Sequence, residues 1–421
     1  MTVTALLKKP NEEYAYFLLL PRPTRILLIT NLIYAFVLPV IEIFVGAYIM
    51  RSSNDPSIVA VYQLTVYTGI PITFCINGFL LNRIKIAHLY SFGMLLSGLS
   101  MIVMMSLQGL SVVGVGVAGL LMGCSFGFFW ANRDYLALNT TNDANRNYYY
   151  GLETFFYTIT YIIVPVMVGA FLASTESGRW LDGNINAAYR IVTIVVFLLT
   201  IVSSIVINRE KFKNPVQKEF LFFKFHPLWR KMLVLAGLKG IAQGYLVTAP
   251  AILIMRLVGN EGSLGMVQGI SGVATAFMLY ILGRVTKPTD RIKIFTIGLL
   301  IFLAGTLVNG LLFSAIGVMI FVLCKVLFAP LHDMAYFPTE MLVIDVVSKI
   351  EKRNEFAYIF NHEFGLYIGR FLGLMLFIGL ATYVSETFAL KYALITIAVI
   401  QLASIPVARH IIKAANHINT K

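Results

Sequence analysis

Long apolar blocks, separated by short polar segments, run through almost the whole chain. A helix needs about 20 residues to cross the roughly 30 Å hydrocarbon core of a bilayer, and these blocks are of that length. They predict helices at 25–50, 57–81, 87–107, 111–139, 146–173, 188–208, 229–257, 263–284, 291–313, 317–346, 354–382 and 387–412. Strands do not supply apolar runs this long. The expectation is an all-α membrane protein with twelve transmembrane helices, and the even number places both termini on one side.

Basic residues decide which side. One set of polar segments holds Lys8, Lys9, Arg22, Arg25, Arg83, Lys85, Arg146, seven Lys and Arg in 209–231, Arg284, Lys287, Arg291, Lys293, Lys349, Lys352, Arg353, Arg409, Lys413 and Lys421. The other set holds only Arg51, Arg179, Arg190, Arg256 and Lys391. Lysine and arginine accumulate in cytoplasmic loops, so both termini are expected in the cytoplasm and the chain in the inner (plasma) membrane. The start of the chain, Met1 to Pro23, has no short apolar region leading to a small-residue cleavage site, so the first block is expected to stay as a membrane helix.

Composition agrees with this reading. Hydrophobic residues make up 58% of the 421 and charged residues 13%, against about 25% charged in a soluble domain. A net charge of +13 raises the question of a nucleic-acid partner, but the charge sits in short loops between apolar blocks and forms no nucleic-acid module. Cys75, Cys124 and Cys324 each fall inside an apolar block without CxxC spacing, which suggests neither a disulfide framework nor a metal site.

The longest polar stretch, Arg209 to Lys231, interleaves basic residues with Phe220, Phe222, Phe223 and Phe225, a composition suited to an anionic membrane surface. It divides the chain into a tail at 1–24, a six-helix bundle at 25–208, a basic linker at 209–228, a second bundle at 229–412 and a tail at 413–421. A faint repeat supports two related halves. Asn82-Arg83-Ile84-Lys85-Ile86 matches Asp290-Arg291-Ile292-Lys293-Ile294, and Arg146-Asn147 matches Arg353-Asn354 at nearly the same offset. Parallel duplication of this kind builds the two halves of one large transporter class.

On these residues the chain resembles the major facilitator superfamily over essentially its whole length. Gly78-Phe79-Leu80-Leu81-Asn82-Arg83-Ile84-Lys85 looks like a degenerate copy of the family's loop between helices two and three, with Asn82 where the family has an acid. Pro165 and Gly169 in helix five are a partial likeness to the proline-glycine motif often seen in exporters. The resemblance implies two pseudo-symmetric six-helix bundles that alternate access to a central site lined by helices one, four, seven and ten.

Ionisable groups inside membrane helices cost several kcal/mol unless they face a cavity or a partner. Helix one carries Glu42, with no evident basic partner at its depth; an unpaired carboxylate there is a candidate to carry a proton. Helix four carries Asn132, Arg133 and Asp134 after an aromatic run ending in Trp130, which serves packing or stacks on a solute. Helix five carries Glu153 and helix seven Lys239. Helix ten carries Lys325, His332, Asp333 and Glu340, and Pro330 and Pro338 are expected to interrupt it. Helix eleven carries His362, Glu363 and Arg370, the last two spaced to share one helical face. Arg133, Asp134 and Glu153 read either as inter-helix salt bridges or as part of a site, and the histidines as relays or as polar packing. Adding the repeat offset to Arg133 reaches Glu340, so the two could meet across the cavity as a cytoplasmic gate.

Other chemistries lack their motifs. His362-Glu363 is not followed by a second histidine, position 366 being Leu, and no GxxxxGK[ST] phosphate loop occurs. The expected function is secondary transport of a small polar or charged organic solute, anionic more readily than cationic, coupled to protons or else sodium, with membrane lipids as surroundings and no cofactor. A multidrug exporter, a lipid flippase and an intramembrane enzyme are the alternatives.

Overall fold

The computed structural model describes residues 10–107, 109–141, 145–214, 222, 224–285, 288–353 and 355–419. Parts of the expected tails (1–9 and 420–421) and of the expected linker (215–221 and 223) lie outside the described residues. Twelve helices are long and apolar enough to span a membrane. In chain order they are Arg22–Ser53, Pro56–Leu80, Ile86–Ser106, Val112–Ala137, Tyr148–Glu176, Ile185–Ile207, Pro227–Leu257, Glu261–Leu282, Arg291–Leu312, Ala315–Glu351, Ala357–Tyr383 and Glu386–Ile418, called helices one to twelve below. No strand occurs among the described residues.

Local chemistry sets the joints. Helix one stops where Asn54 turns left-handed, with φ of 53°, a conformation Asn tolerates better than most residues. Asp55 then caps helix two by accepting from the Ser57 amide at 2.7 Å, with Pro56 at the first helical position.

Three helices are broken where hydropathy shows only continuous apolar runs: helix twelve, between Glu386–Gln401 and Ser404–Asn419, and helices one and seven. Helix one is regular over Arg22–Ala35, passes Pro39 into a wide π turn at Val40–Phe44, and resumes at Val45–Ser53. Helix seven breaks between Pro227–Leu246 and Ala249–Leu257, just before Pro250. Proline removes a backbone donor and crowds the preceding turn, so the breaks of helices one and seven have the same cause. Helix ten does the opposite of what its prolines predict. It runs unbroken through Pro330 and Pro338 over Ala315–Glu351, because neighbouring helices and local adjustments accommodate proline within membrane bundles. Beyond the expected bundles, Pro10–Leu19 is a short helix within the segment read as a tail, and Ser404–Asn419 carries helix twelve past residue 412.

Within the first half, helix four packs on helices two and three; within the second, helix seven packs on eleven and nine on ten. The halves meet along helices five and eight and along helices two and eleven. Helices five and eight touch backbone to backbone: a Cβ on Gly265 would lie 2.2 Å from the Pro165 carbonyl oxygen, and one on Gly169 would lie 2.7 Å from that of Glu261. Only glycine permits this approach.

Candidate functional site: a two-lobed cavity between the halves

Two cavities lie between the six-helix halves among the described residues, and the breaks of helices one and seven open onto them. Lobe one, about 610 Å³, is walled largely by aromatic rings, among them Tyr62, Tyr67, Phe74, Phe126, Trp130 and Tyr135. Lobe two, about 440 Å³, is lined by helices one, five, seven, eight and ten, with Gln268, Ser271 and Thr275 as its neutral polar groups. Glu42, in the π turn of helix one, and Val247, in the break of helix seven, line both lobes. Volumes of roughly 300–1,000 Å³ suit small organic ligands.

Six of the residues expected to form a site line these lobes: Glu42, Trp130, Asp134, Glu363 and Arg370 around lobe one, and Lys325 with Glu42 around lobe two. Tyr161 of helix five donates to a Glu42 carboxylate oxygen at 2.6 Å. The charges of Glu42 and Lys325 interact across lobe two, so the carboxylate has a basic neighbour that the sequence did not reveal. That neighbour sits on the other half. Arg370 donates to Gln243 at 3.0 Å and to Glu363 at 3.4 Å, and lies 4.8 Å from the centre of the Tyr67 ring.

The other eight candidates fall into two polar networks outside the lobes. In the first half, Glu153 is 2% exposed and accepts from Asn31 at 2.6 Å, Tyr149 at 3.2 Å and Arg133 Nε at 3.1 Å, with a second, very close bond from Arg133 Nη2. Arg133 also pairs with Asp134 at 2.6 Å and stacks near Trp130. Asn132 exchanges amide hydrogen bonds with Asn77 of helix two at 3.1 and 2.7 Å. In the second half, Lys239 pairs with Asp333 at 2.9 Å beneath the rings of Tyr336 and Phe337. His332 contacts the same Asp333 oxygen at 3.1 Å, and His362 bridges Tyr336 at 2.6 Å and Glu340 at 3.2 Å.

Arg133 and Glu340, expected to meet as a gate when the cytoplasmic end closes, are not paired in this structure. Each bonds to the next helix of its own half, Arg133 to helix five and Glu340 to helix eleven. The duplication predicts equivalent positions, and equivalent positions have found equivalent local partners. A buried charge needs a hydrogen-bonding counter-group, and in this conformation each finds one on the neighbouring helix of its own half.

The halves are instead tied together at the opposite end of the bundle. Arg51, at the end of helix one, forks onto both oxygens of Glu261 in helix eight at 2.5 Å each and reaches Glu176 in helix five at 3.0 Å. Glu261 is wholly buried and also accepts from Tyr189 at 2.9 Å. Arg256 donates to Asn54 at 2.6 Å across the same seam. The Arg51 end is closed. Lobe one extends the other way to Asp134 and Tyr150, both exposed. Sequence reading took Arg51 for a loop residue; its only visible signal was a lone arginine on the side poor in basic residues.

Twelve spanning helices in two halves around a central cavity define a multi-pass membrane transporter. The family model described as Major Facilitator Superfamily matches residues 26–374, and the chain belongs to that family of secondary transporters. It is 21% identical over 361 residues to the uncharacterized protein YqgE of Bacillus subtilis (strain 168), covering 83% of this chain and 81% of that one. Among solved structures, a bacterial homologue of the human lysosomal transporter Spinster, inward-facing and unoccupied, superposes with a TM-score of 0.65 at 12% identity over 96% of this chain and 98% of that one. The nucleoside transporter NupG gives 0.64 at 11% identity over 93% and 100%. A bacterial homologue of the iron transporter ferroportin, inward-facing, gives 0.64 at 13% identity over 91% and 98%. At these identities the likeness is one of fold.

Proposed function

We propose that the chain is a proton-coupled carrier of a small polar or charged organic solute in the inner membrane, with both termini cytoplasmic and Glu42 as the coupling group. The observation that carries the proposal is the position of Glu42. It stands in the broken turn of helix one and lines both lobes, with Tyr161 and Lys325 as its polar neighbours. A carboxylate there exchanges its proton with whichever side the cavity faces, so its charge state and the solute's occupancy change in the same space. With the termini inside, the closed Arg51 end faces outward and this conformation faces inward. The aromatic wall of lobe one supports a multidrug exporter as the second reading, whereas the cavity's charged groups favour a selective carrier.

Reconstituted vesicles test coupling directly. Glu42→Gln keeps shape and hydrogen bonding but fixes the charge at zero, so accumulation driven by a pH gradient is lost while counterflow exchange continues. A variant that still concentrates solute with unchanged pH dependence ends the coupling role. Orientation is checked by cysteine labelling from outside intact cells, where Arg179→Cys reacts and Lys213→Cys does not.

A further inference from the structure

Lys325 is a charged group of the cavity that the described residues leave without a direct partner. It projects from helix ten into lobe two, and among the described residues it has no hydrogen-bond or ion-pair partner. Every other cation near the cavity is spoken for: Arg370 by Gln243 and Glu363, Lys239 by Asp333, Arg133 by Glu153 and Asp134. A desolvated ammonium without a partner is expensive to keep. Glu42 does not relieve that cost by contact. The two share the lobe and feel each other's charge, yet form no ion pair.

Next to this cation stands an aromatic chamber of the opposite character. The charged groups at the edge of lobe one are already paired with protein, which leaves ring faces, aliphatic side chains and the Gln63 amide as its free surface. Lobes one and two adjoin at Glu42 and Val247, which line both, so a molecule reaching past these side chains places one end in each.

We propose that the solute is an amphipathic organic anion, its carboxylate or equivalent seated on Lys325 in lobe two and its apolar or aromatic body among the rings of lobe one. This rests on the carrier reading above and specifies its cargo and its sign of coupling. With Glu42 ionised, lobe two holds one positive and one negative charge, and an incoming anion meets a carboxylate. With Glu42 protonated, the lobe carries Lys325 alone and accepts the anion. Anion and proton therefore favour each other's binding, and by linkage the effect is reciprocal. Other titratable groups facing Glu42 are the phenols Tyr34 from helix one, Tyr157 and Tyr161 from helix five and Tyr67 from helix two. Asp134, Glu363 and Arg370 stand around lobe one, already paired. Histidine lines neither lobe.

Binding to the purified full-length protein tests the inference without requiring transport. The probes are arylalkyl carboxylates of graded length, compared with the same skeletons as amides and as amines, titrated by calorimetry at pH 8 and pH 6. Carboxylates are expected to bind at least about tenfold more tightly than matched amides, with affinity rising as the pH falls, by up to about tenfold per unit for one linked proton. Lys325→Gln is expected to abolish the preference for carboxylate over amide while leaving amide binding intact, and Lys325→Arg to keep it in part. Glu42→Gln is expected to bind carboxylates without pH dependence. Preference for amines, a carboxylate preference that survives Lys325→Gln, or no carboxylate preference anywhere in the panel overturns the proposal. Gradient-driven accumulation of some other solute, independent of Lys325, would leave the carrier standing and this cargo rejected.

Discussion

Glu153 shows what a buried charge demands of its surroundings. It is almost inaccessible, and its oxygens are occupied by Arg133, Asn31 and Tyr149. Removing one partner of such a pair strands the other, at a cost of about 3–5 kcal/mol. Arg133→Met is therefore expected to lower the thermal unfolding temperature of the purified protein strongly. A double-mutant cycle between Arg133 and Glu153 should show a large coupling energy. The same cycle between Arg133 and Glu340 should be additive within about 0.3–0.5 kcal/mol, as for independent sites; a larger value would restore the gate. At this scale the sequence marked which residues mattered but not whom they met. A charge in an apolar block is visible as an exception, whereas Glu42 and Tyr161 are 119 positions apart and no periodicity joins them. Asn132 looked like part of a site because it precedes an arginine and an aspartate. It is a structural amide, matched by Asn77.

Among the elements, helices five and eight form the seam with the least freedom. Their glycines bring the backbones so close that any side chain at Gly265 meets the Pro165 carbonyl. Gly265→Val is expected to wedge the seam apart near Arg51 and to open lobe two toward that end. In a background without Cys75, Cys124 and Cys324, a cysteine replacing Gln268 should then react several-fold faster with an impermeant reagent applied from the Arg51 side. Gly379→Val, at a site with nothing within 4 Å, should leave that rate unchanged, and equal rates in both would show that the seam does not govern access. The twelve helices themselves were legible because hydropathy integrates over twenty residues and tolerates local faults. The same averaging hid the breaks at Pro39 and Pro250, since the apolar run continues through them. It also misjudged Pro330 and Pro338, where surrounding helices decide whether a proline interrupts.

Across the whole molecule, the Arg51 end is fastened by ion pairs between the halves. The fastening consists of a fully buried carboxylate gripped by a forked guanidinium and a phenol. Releasing it exposes Glu261 to water and separates three partners at once, which biases the empty carrier toward the form seen here. Solute arriving at the Arg51 face then meets a protein whose receptive form is scarce, and its apparent dissociation constant there is the intrinsic one divided by that scarce fraction. The carrier behaves as a kinetic valve: one binding site, two half-saturation concentrations, higher on the fastened face. Each 1.4 kcal/mol held in the fastening corresponds to about a tenfold gap between them. Sided vesicles measure the gap directly, and Arg51→Gln should narrow it by raising the receptive fraction without touching either lobe.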